Sequence, residues 1–406
     1  MEAVDPPALT RRALIAAGAV VAADGLVRPY AALARLASPP PSAHLAGLTL
    51  VSSGLQAGSG QPPIIARSVW AQGGAPPAVA PEYGSVKLAF VHHTENPDGY
   101  SAAAVPGMLR SIYEFHRFGR GWNDIGYNFV IDRFGRIWEA RAGGIDEPVI
   151  GAQAGGYNAY STGIAILGSY GAQRISAPAL AALEHLIAWK LSLHGAPCEG
   201  HVTVKVTAKG AVYSRFPAGA RVSLPRVAGH RDADSTDCPG HALYGELTSA
   251  RHGASRLAGS PSRLILQPLL GEGGAPTGVI GSLAQLGGSP LAGAAVAIQQ
   301  RAVSHRGQTV VERTVAQAST DNAGRFQVPL TLTPVHGRVT ALRAVFAGGS
   351  GAAGGSGASE ASGDSGPPGA SACVSDPLEL AGQASFATPP APASQPSAAG
   401  APPHAA

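Results

Sequence analysis

The spacing of apolar positions changes along the chain, and each change marks a different kind of segment. An apolar run of eleven residues, Ala13–Ala23, follows Arg11-Arg12 directly and stops at Asp24. Residues 35–80 show little period. Between 81 and 250, short apolar runs alternate with longer amphipathic ones. Val86–Val91 reads as a buried strand. Met108, Ile112 and Phe115 recur at spacings of four and three behind Pro106, which predicts a helix over 106–118. Asn128–Ile131 and Arg136–Trp138 flank Asp132-Arg133-Phe134-Gly135, which predicts a hairpin. Gly163–Gly168 reads as a central strand. Leu180, Leu183, Leu186, Ile187 and Leu191 give one apolar face to a helix that Ser176 caps and Gly195 closes. Interleaved strands and helices predict an α/β domain over 65–250, a mixed β-sheet with flanking helices. Over 263–347 the runs become short and Val-rich (278–283, 294–298, 309–315). Gly287-Gly288-Ser289-Pro290 and Asp321-Asn322-Ala323-Gly324 punctuate them, so a small all-β, sandwich-like domain is expected. Residues 35–64 and 251–262 read as linkers. Residues 348–406 hold too little apolar surface to offset chain entropy; a disordered tail is expected there, with one short strand at 377–380.

Composition supports this division. The 406 residues include 54 Gly and 34 Pro, about a fifth of the chain, a density that suits linkers and tails better than one continuous globule. A net charge of +4, with no basic stripe interleaved with aromatics, argues against nucleic acid as partner. The apolar run behind Arg11-Arg12 is far short of the roughly 20 residues of a spanning helix. Thr10–Ile15 resembles a twin-arginine export motif, and Ala32-Leu33-Ala34 offers small residues for cleavage. Residues 1–34 therefore read as a signal peptide. The mature chain is expected to be secreted to the cell wall by the twin-arginine route, as a monomer without a membrane span. Three cysteines, Cys198, Cys238 and Cys373, cannot form a pure disulfide framework outside the cell.

Three separated strings carry the chemistry. Phe90-Val91-His92-His93-Thr94 places two imidazoles at a strand exit. Asp124–Phe129 carries Tyr127 into the next strand. Gly229-His230-Arg231-Asp232 precedes Thr236-Asp237-Cys238-Pro239-Gly240. Two imidazoles and one thiolate, His92, His230 and Cys238, make a mixed nitrogen–sulfur zinc site with three protein ligands, the layout of catalytic rather than structural zinc. Zinc of that kind generates hydroxide near neutral pH and polarises a carbonyl, which suits amide hydrolysis. Tyr127 and Thr236 are the candidate donors to a developing oxyanion.

In this order the three strings resemble the zinc amidase domain shared by phage-lysozyme-type N-acetylmuramoyl-L-alanine amidases and peptidoglycan-recognition proteins, over about residues 65–250. The resemblance puts the metal ligands on His92, His230 and Cys238, and the functional Tyr and Thr on Tyr127 and Thr236. It implies cleavage of the amide between N-acetylmuramic acid and L-alanine, with peptidoglycan as partner. One departure stands out: where family members often carry Gly-Ala-His, this chain has Gly151-Ala152-Gln153, so a groove contact is not transferable.

Two other functions fit the same residues less well: a peptidoglycan-binding recognition protein without catalysis, and a surface protein in which the amidase is ancillary to the β-domain. Non-catalytic relatives typically lose the cysteine, which is present here. His93 reads as a supporting histidine rather than a ligand. His116, His185 and His194 read as packed or solvated. Cys198 with His201 is a weak zinc pair, and Glu139 reads as structural before catalytic. Trp70 and Trp122 are core or groove walls. A disulfide between Cys198 and Cys238 is the rival to zinc ligation.

Overall fold

The computed structural model describes residues 48–53, 55, 57–271, 276–303, 309–330, 339–349 and 370–379. The signal peptide expected at 1–34 lies outside them. The strands β1 (Leu50–Val51) and β2 (Ile64–Ile65) lead into the short helix α1 (Arg67–Ala71). They are followed by β3 (Leu88–His93), α2 (Val105–Glu114), β4 (Phe129–Ile131), β5 (Ile137–Glu139), β6 (Ser161–Ile166) and α3 (Ala177–Leu193). A hairpin of β7 (His201–Lys205) and β8 (Arg221–Pro225), then β9 (Val227–Gly229) and α4 (His241–Ala258), complete the α/β domain. Seven strands form one mixed sheet in the order β1-β2-β5-β4-β6-β3-β9. The expected mixed sheet with flanking helices is the fold observed.

Alternation along the central strands separates two layers. Ala89, Val91, Ile164 and Ile166 pack under α3 and α4 with Leu183, Leu186, Leu243 and Leu247. On the opposite face, Val130 and Ala165 pack under α2 with Leu109 and Ile112. Leu88 and Phe90, also on that face, lie beneath the β7–β8 hairpin with Val204 and Leu224. Local signals act as read. Ser176 Oγ accepts the Ala179 N–H at 3.2 Å to start α3. Asp132 Oδ1 accepts the Phe134 and Arg136 N–H groups, which closes the β4–β5 turn.

The boundaries differ from expectation in three places. Residues read as part of a 35–64 linker supply β1 and the first residue of β2, and Leu55 and Ala57 are buried in the main core. Strands two residues long are too short to show a period. The 251–262 linker is mostly helix, because α4 runs to Ala258. One of its two glycines serves packing: a Cβ on Gly253 would lie 2.1 Å from the Glu184 side chain, where α3 and α4 cross. Within the tail expected to be disordered apart from a short strand at 377–380, residues 370–379 are ordered, and the expected strand is present at Leu378–Glu379. They add β16 (Cys373–Val374) and β17 (Leu378–Glu379) to the second domain, with Ala370, Ala372 and Cys373 buried.

That second domain is a sandwich of two sheets. The strands β10 (Ser262–Leu270), β11 (Pro276–Gln285) and β14 (Arg325–Pro329) form one. The other contains β12 (Ala295–Val303), β13 (Thr309–Ser319), β15 (Val339–Phe346), β16 and β17. Val279, Leu283 and Phe326 from the first sheet meet Val296, Ile298 and Phe346 from the second. Val345, Ala372 and Val374 extend into the α/β core beside α3. The sandwich is thus seated on the helical layer of the α/β domain, across the sheet from α2 and the β7–β8 hairpin.

Candidate metal centre

Strand register brings the first two candidate ligands together. β3 and β9 are parallel neighbours, with Val91 opposite Gly229. His92 and His230 each follow one of those residues, so both leave adjacent strand ends. Their ring centroids are 4.5 Å apart. His92 shares the face of Phe90, the face away from α3 and α4.

Cys238 returns to the same point through a tight loop. Arg231 N–H donates to Cys238 O at 2.9 Å, and Gly240 N–H donates to Asp237 O at 2.8 Å. Two glycines make the return possible. A Cβ on Gly229 would lie 2.7 Å from the Tyr244 ring. Gly240 has φ +90°, and a Cβ there would lie 2.3 Å from the Tyr170 carbonyl oxygen. The Cys238–Pro239 peptide is cis.

Donor atoms of His92, His230 and Cys238 all lie within 4.8 Å of one another. Cys238 Sγ is 3.6 Å from His92 Nδ1. Zinc–nitrogen bonds of about 2.0–2.1 Å and a zinc–sulfur bond of about 2.3 Å give a tetrahedral N···S edge of about 3.6 Å. The residues present therefore fit a zinc ion. All three cysteines are free, and Cys198 is buried away from this cluster, so the Cys198–Cys238 disulfide is not formed.

The protonation states agree with this fit. Burial, reinforced by neighbouring His230, lowers the His92 pKa well below the ordinary imidazole value and keeps the ring neutral, the form that ligates. Burial raises the Cys238 thiol to about 12 without a metal. A coordinated cation reverses that preference and removes the proton. His230 Nε2 is 2.9 Å from Asp234 Oδ2. A carboxylate only accepts, so Nε2 carries the hydrogen and Nδ1 keeps its lone pair. Asp234 Oδ2 also accepts the Gly155 N–H at 2.8 Å.

Tyr127 lies against the cluster, its ring centroid 5.3 Å from that of His92. Burial raises its hydroxyl pKa, so the group is neutral and able to donate. Thr236 Oγ1 accepts the Cys238 N–H at 3.2 Å, which leaves its own hydrogen for another partner. His93 is outside the ligand set: its Nδ1 accepts the Tyr170 N–H at 3.2 Å, and its Nε2 is 3.3 Å from Glu95 Oε1. That contact lowers the Glu95 pKa.

The other residues singled out from sequence have structural surroundings. Glu139 Oε2 accepts the Arg67 N–H at 2.9 Å at the start of α1. Trp70 is core, its Nε1 donating to Glu139 O at 2.8 Å. Trp122 stacks on His116 at 4.6 Å, and His116 Nδ1 accepts the Gly126 N–H at 3.1 Å. Gln153 is buried, its Nε2 donating to Ser161 Oγ at 3.0 Å, so it forms wall rather than groove surface. Asp234 escaped the sequence reading. Its spacing of four from His230, within His-Arg-Asp-Ala-Asp, was the available signal, and Asp232 competed for it. Asp232 instead accepts the Gly229 N–H at 2.8 Å and the Tyr244 hydroxyl at 2.6 Å.

A family profile described as N-acetylmuramoyl-L-alanine amidase (Amidase_2) matches residues 82–241. The chain is similar to peptidoglycan-recognition protein SC2 of Drosophila simulans, 30% identical over 162 residues, covering 40% of this chain and 72% of that protein. Peptidoglycan-recognition protein LB of Drosophila melanogaster is 31% identical over 192 residues, with 47% and 69% covered. A human N-acetylmuramoyl-L-alanine amidase is 32% identical over 218 residues, 51% of this chain and 31% of that protein. The solved structure of Drosophila PGRP-LB aligns with 28% identity and a TM-score of 0.34, covering 46% of this chain and 92% of that one.

Proposed function

The chain belongs to the Amidase_2 family of N-acetylmuramoyl-L-alanine amidases and peptidoglycan-recognition proteins, and we propose that it is a zinc-dependent member that hydrolyses the amide between N-acetylmuramic acid and L-alanine in bacterial peptidoglycan. The observation that carries this reading is the meeting of His92, His230 and Cys238, from three separate segments, with donor atoms within 4.8 Å. Zinc held there supplies a water of pKa about 7 and a Lewis acid for the scissile carbonyl. The remaining work falls to the chain. Asp234 fixes the tautomer and orientation of His230. The neutral Tyr127 hydroxyl and the free hydrogen of Thr236 are the donors proposed for the developing oxyanion, an effect of about 2.7–4 kcal/mol per donor. The retained cysteine supports this reading over recognition without cleavage. The twin-arginine-like segment read in residues 1–34 supports a reaction outside the cell, at the wall.

The test is mass spectrometry of muropeptides after digestion by the purified protein, with and without a chelator. Release of L-alanine-terminated stem peptides that stops on chelation and resumes with zinc is expected. Intact muropeptides bound but never cleaved, with zinc present, would make the chain a recognition protein.

A further inference from the structure

The β-sandwich meets the α/β domain through a buried cluster of charges. Arg343 Nη1 lies 2.6 Å from Asp146 Oδ2 and also bonds Glu147 Oε1. Arg301 pairs with the same Glu147 oxygen. Asp146 and Glu147 are 8% and 5% exposed, Arg301 and Arg343 7% and 4%. Lys190 of α3 reaches the same place, its Nζ donating to Ile145 O at 2.7 Å and Glu147 O at 2.8 Å. Without the two arginines, two buried carboxylates would face one ammonium, and an uncompensated buried charge is strongly destabilising.

Asp146 and Glu147 belong to the long connection between β5 and β6, and the far side of that connection touches the metal centre. Val149 O accepts the Asn128 side-chain N–H at 2.8 Å. Ala152 N–H donates to Gly126 O at 2.9 Å. Those contacts hold both chain neighbours of Tyr127. Six residues after Val149, the Gly155 N–H donates to Asp234, the carboxylate that holds His230. One loop, 141–155, therefore carries the sandwich's arginines at one end and the supports of Tyr127 and His230 at the other.

We propose that the sandwich is a built-in clamp for the metal centre: Arg301 and Arg343 are positioning residues that fix loop 141–155, and through it Tyr127 and His230. The kinetic part of this proposal rests on the amidase reading; its exchange and metal-binding parts do not.

The test compares the full chain with Arg343→Met and with the double variant Arg343→Met/Asp146→Asn, which removes a charge of each sign. Hydrogen exchange of peptides spanning 124–131 and 141–157, zinc affinity by chelator competition, and kcat and KM on a soluble muropeptide are measured. Arg343→Met should lose slow exchange in both peptides. It should weaken zinc binding and lower kcat by up to about a hundredfold, the scale of a small misplacement of catalytic groups. The double variant should recover much of each. An unfolded Arg343→Met beside a folded double variant supports the pairing equally. Wild-type exchange and zinc affinity in Arg343→Met, or a double variant no better than the single one, would overturn the clamp. If exchange and zinc binding respond as expected but the wild-type chain turns over no muropeptide, the clamp stands and the amidase reading falls.

Discussion

Asp234→Ala isolates the support of a single proposed metal ligand, His230. The carboxylate is 3% exposed and accepts from two donors, His230 Nε2 at 2.9 Å and Gly155 N at 2.8 Å. Leaving a buried donor without an acceptor costs about 1–3 kcal/mol. The low end applies here: the His230 side chain is 20% exposed and Gly155 is half-buried, so water reaches both donors. A stability loss of about 2 kcal/mol follows. Freed of Asp234, His230 can rotate or exchange tautomers and present an N–H to the metal. Outer partners of metal-bound histidines are worth about 10–100-fold in affinity, or about 1.4–2.7 kcal/mol. Zinc affinity by competition with a fluorescent chelator and unfolding in urea give the two numbers separately. Asp234→Asn keeps one accepting oxygen and should fall between. Zinc affinity at the wild-type level in Asp234→Ala, in a protein that has lost the expected stability, would refute the orienting role and leave Asp234 a purely structural group.

Cys238→Ser should lose both bound zinc and turnover, because a serine hydroxyl is a far poorer zinc ligand than a thiolate; metal analysis after dialysis checks it, and one retained zinc per chain would remove Cys238 from the ligand set. Tyr127→Phe should keep zinc and fold but lose roughly 10²–10³ in kcat, and a full rate would remove Tyr127 from the chemistry. The metal-free protein should lose stability as pH falls below about 6.5, the unperturbed histidine value. Burial lowers His116 to about 3, and lowers His92 and His194 in the same direction. Their folded pKa values lie below the unfolded one, so below pH 6.5 the unfolded chain binds more protons and stability rises with pH. Each fully contributing histidine adds a slope of about 1.4 kcal/mol per pH unit. Urea titrations between pH 7 and 4 measure it, and a flat or inverted profile would contradict the buried neutral rings.

The meeting of His92, His230 and Cys238 is legible because its pieces are contiguous strings with chemical content. His92-His93-Thr94 follows a strand that the local pattern marks, whereas the strand before His230 and the helix after Cys238-Pro239-Gly240 appear only in the fold. Asp234 was not legible, because two acidic residues follow His230 and only the folded turn decides which one faces the ring. The domain contact was still less accessible: Arg343 and Asp146 are 197 positions apart, and neither pattern nor composition pairs them. Glycine misled at the end of α4, where a weak helix former signals close packing of two helices rather than a linker. The strand at Leu378–Glu379 is legible, but the residues just before it mislead for the opposite reason. Their small side chains look like tail, yet Ala370, Ala372 and Cys373 are small enough to finish a sandwich core.

Seating the sandwich on the helical layer has a consequence for access. The candidate metal centre lies on the side of the sheet that carries α2 and the β7–β8 hairpin, while the described residues of the sandwich pack against the opposite, helical side. A small diffusing molecule would gain little from that arrangement. A substrate that is itself a surface cannot be enveloped and has to be met by an unobstructed front. On the proposed wall substrate, the chain can lie against a mesh of glycan with its cutting edge outward, and the described part of the sandwich does not come between the proposed ligands and the amide to be cleaved.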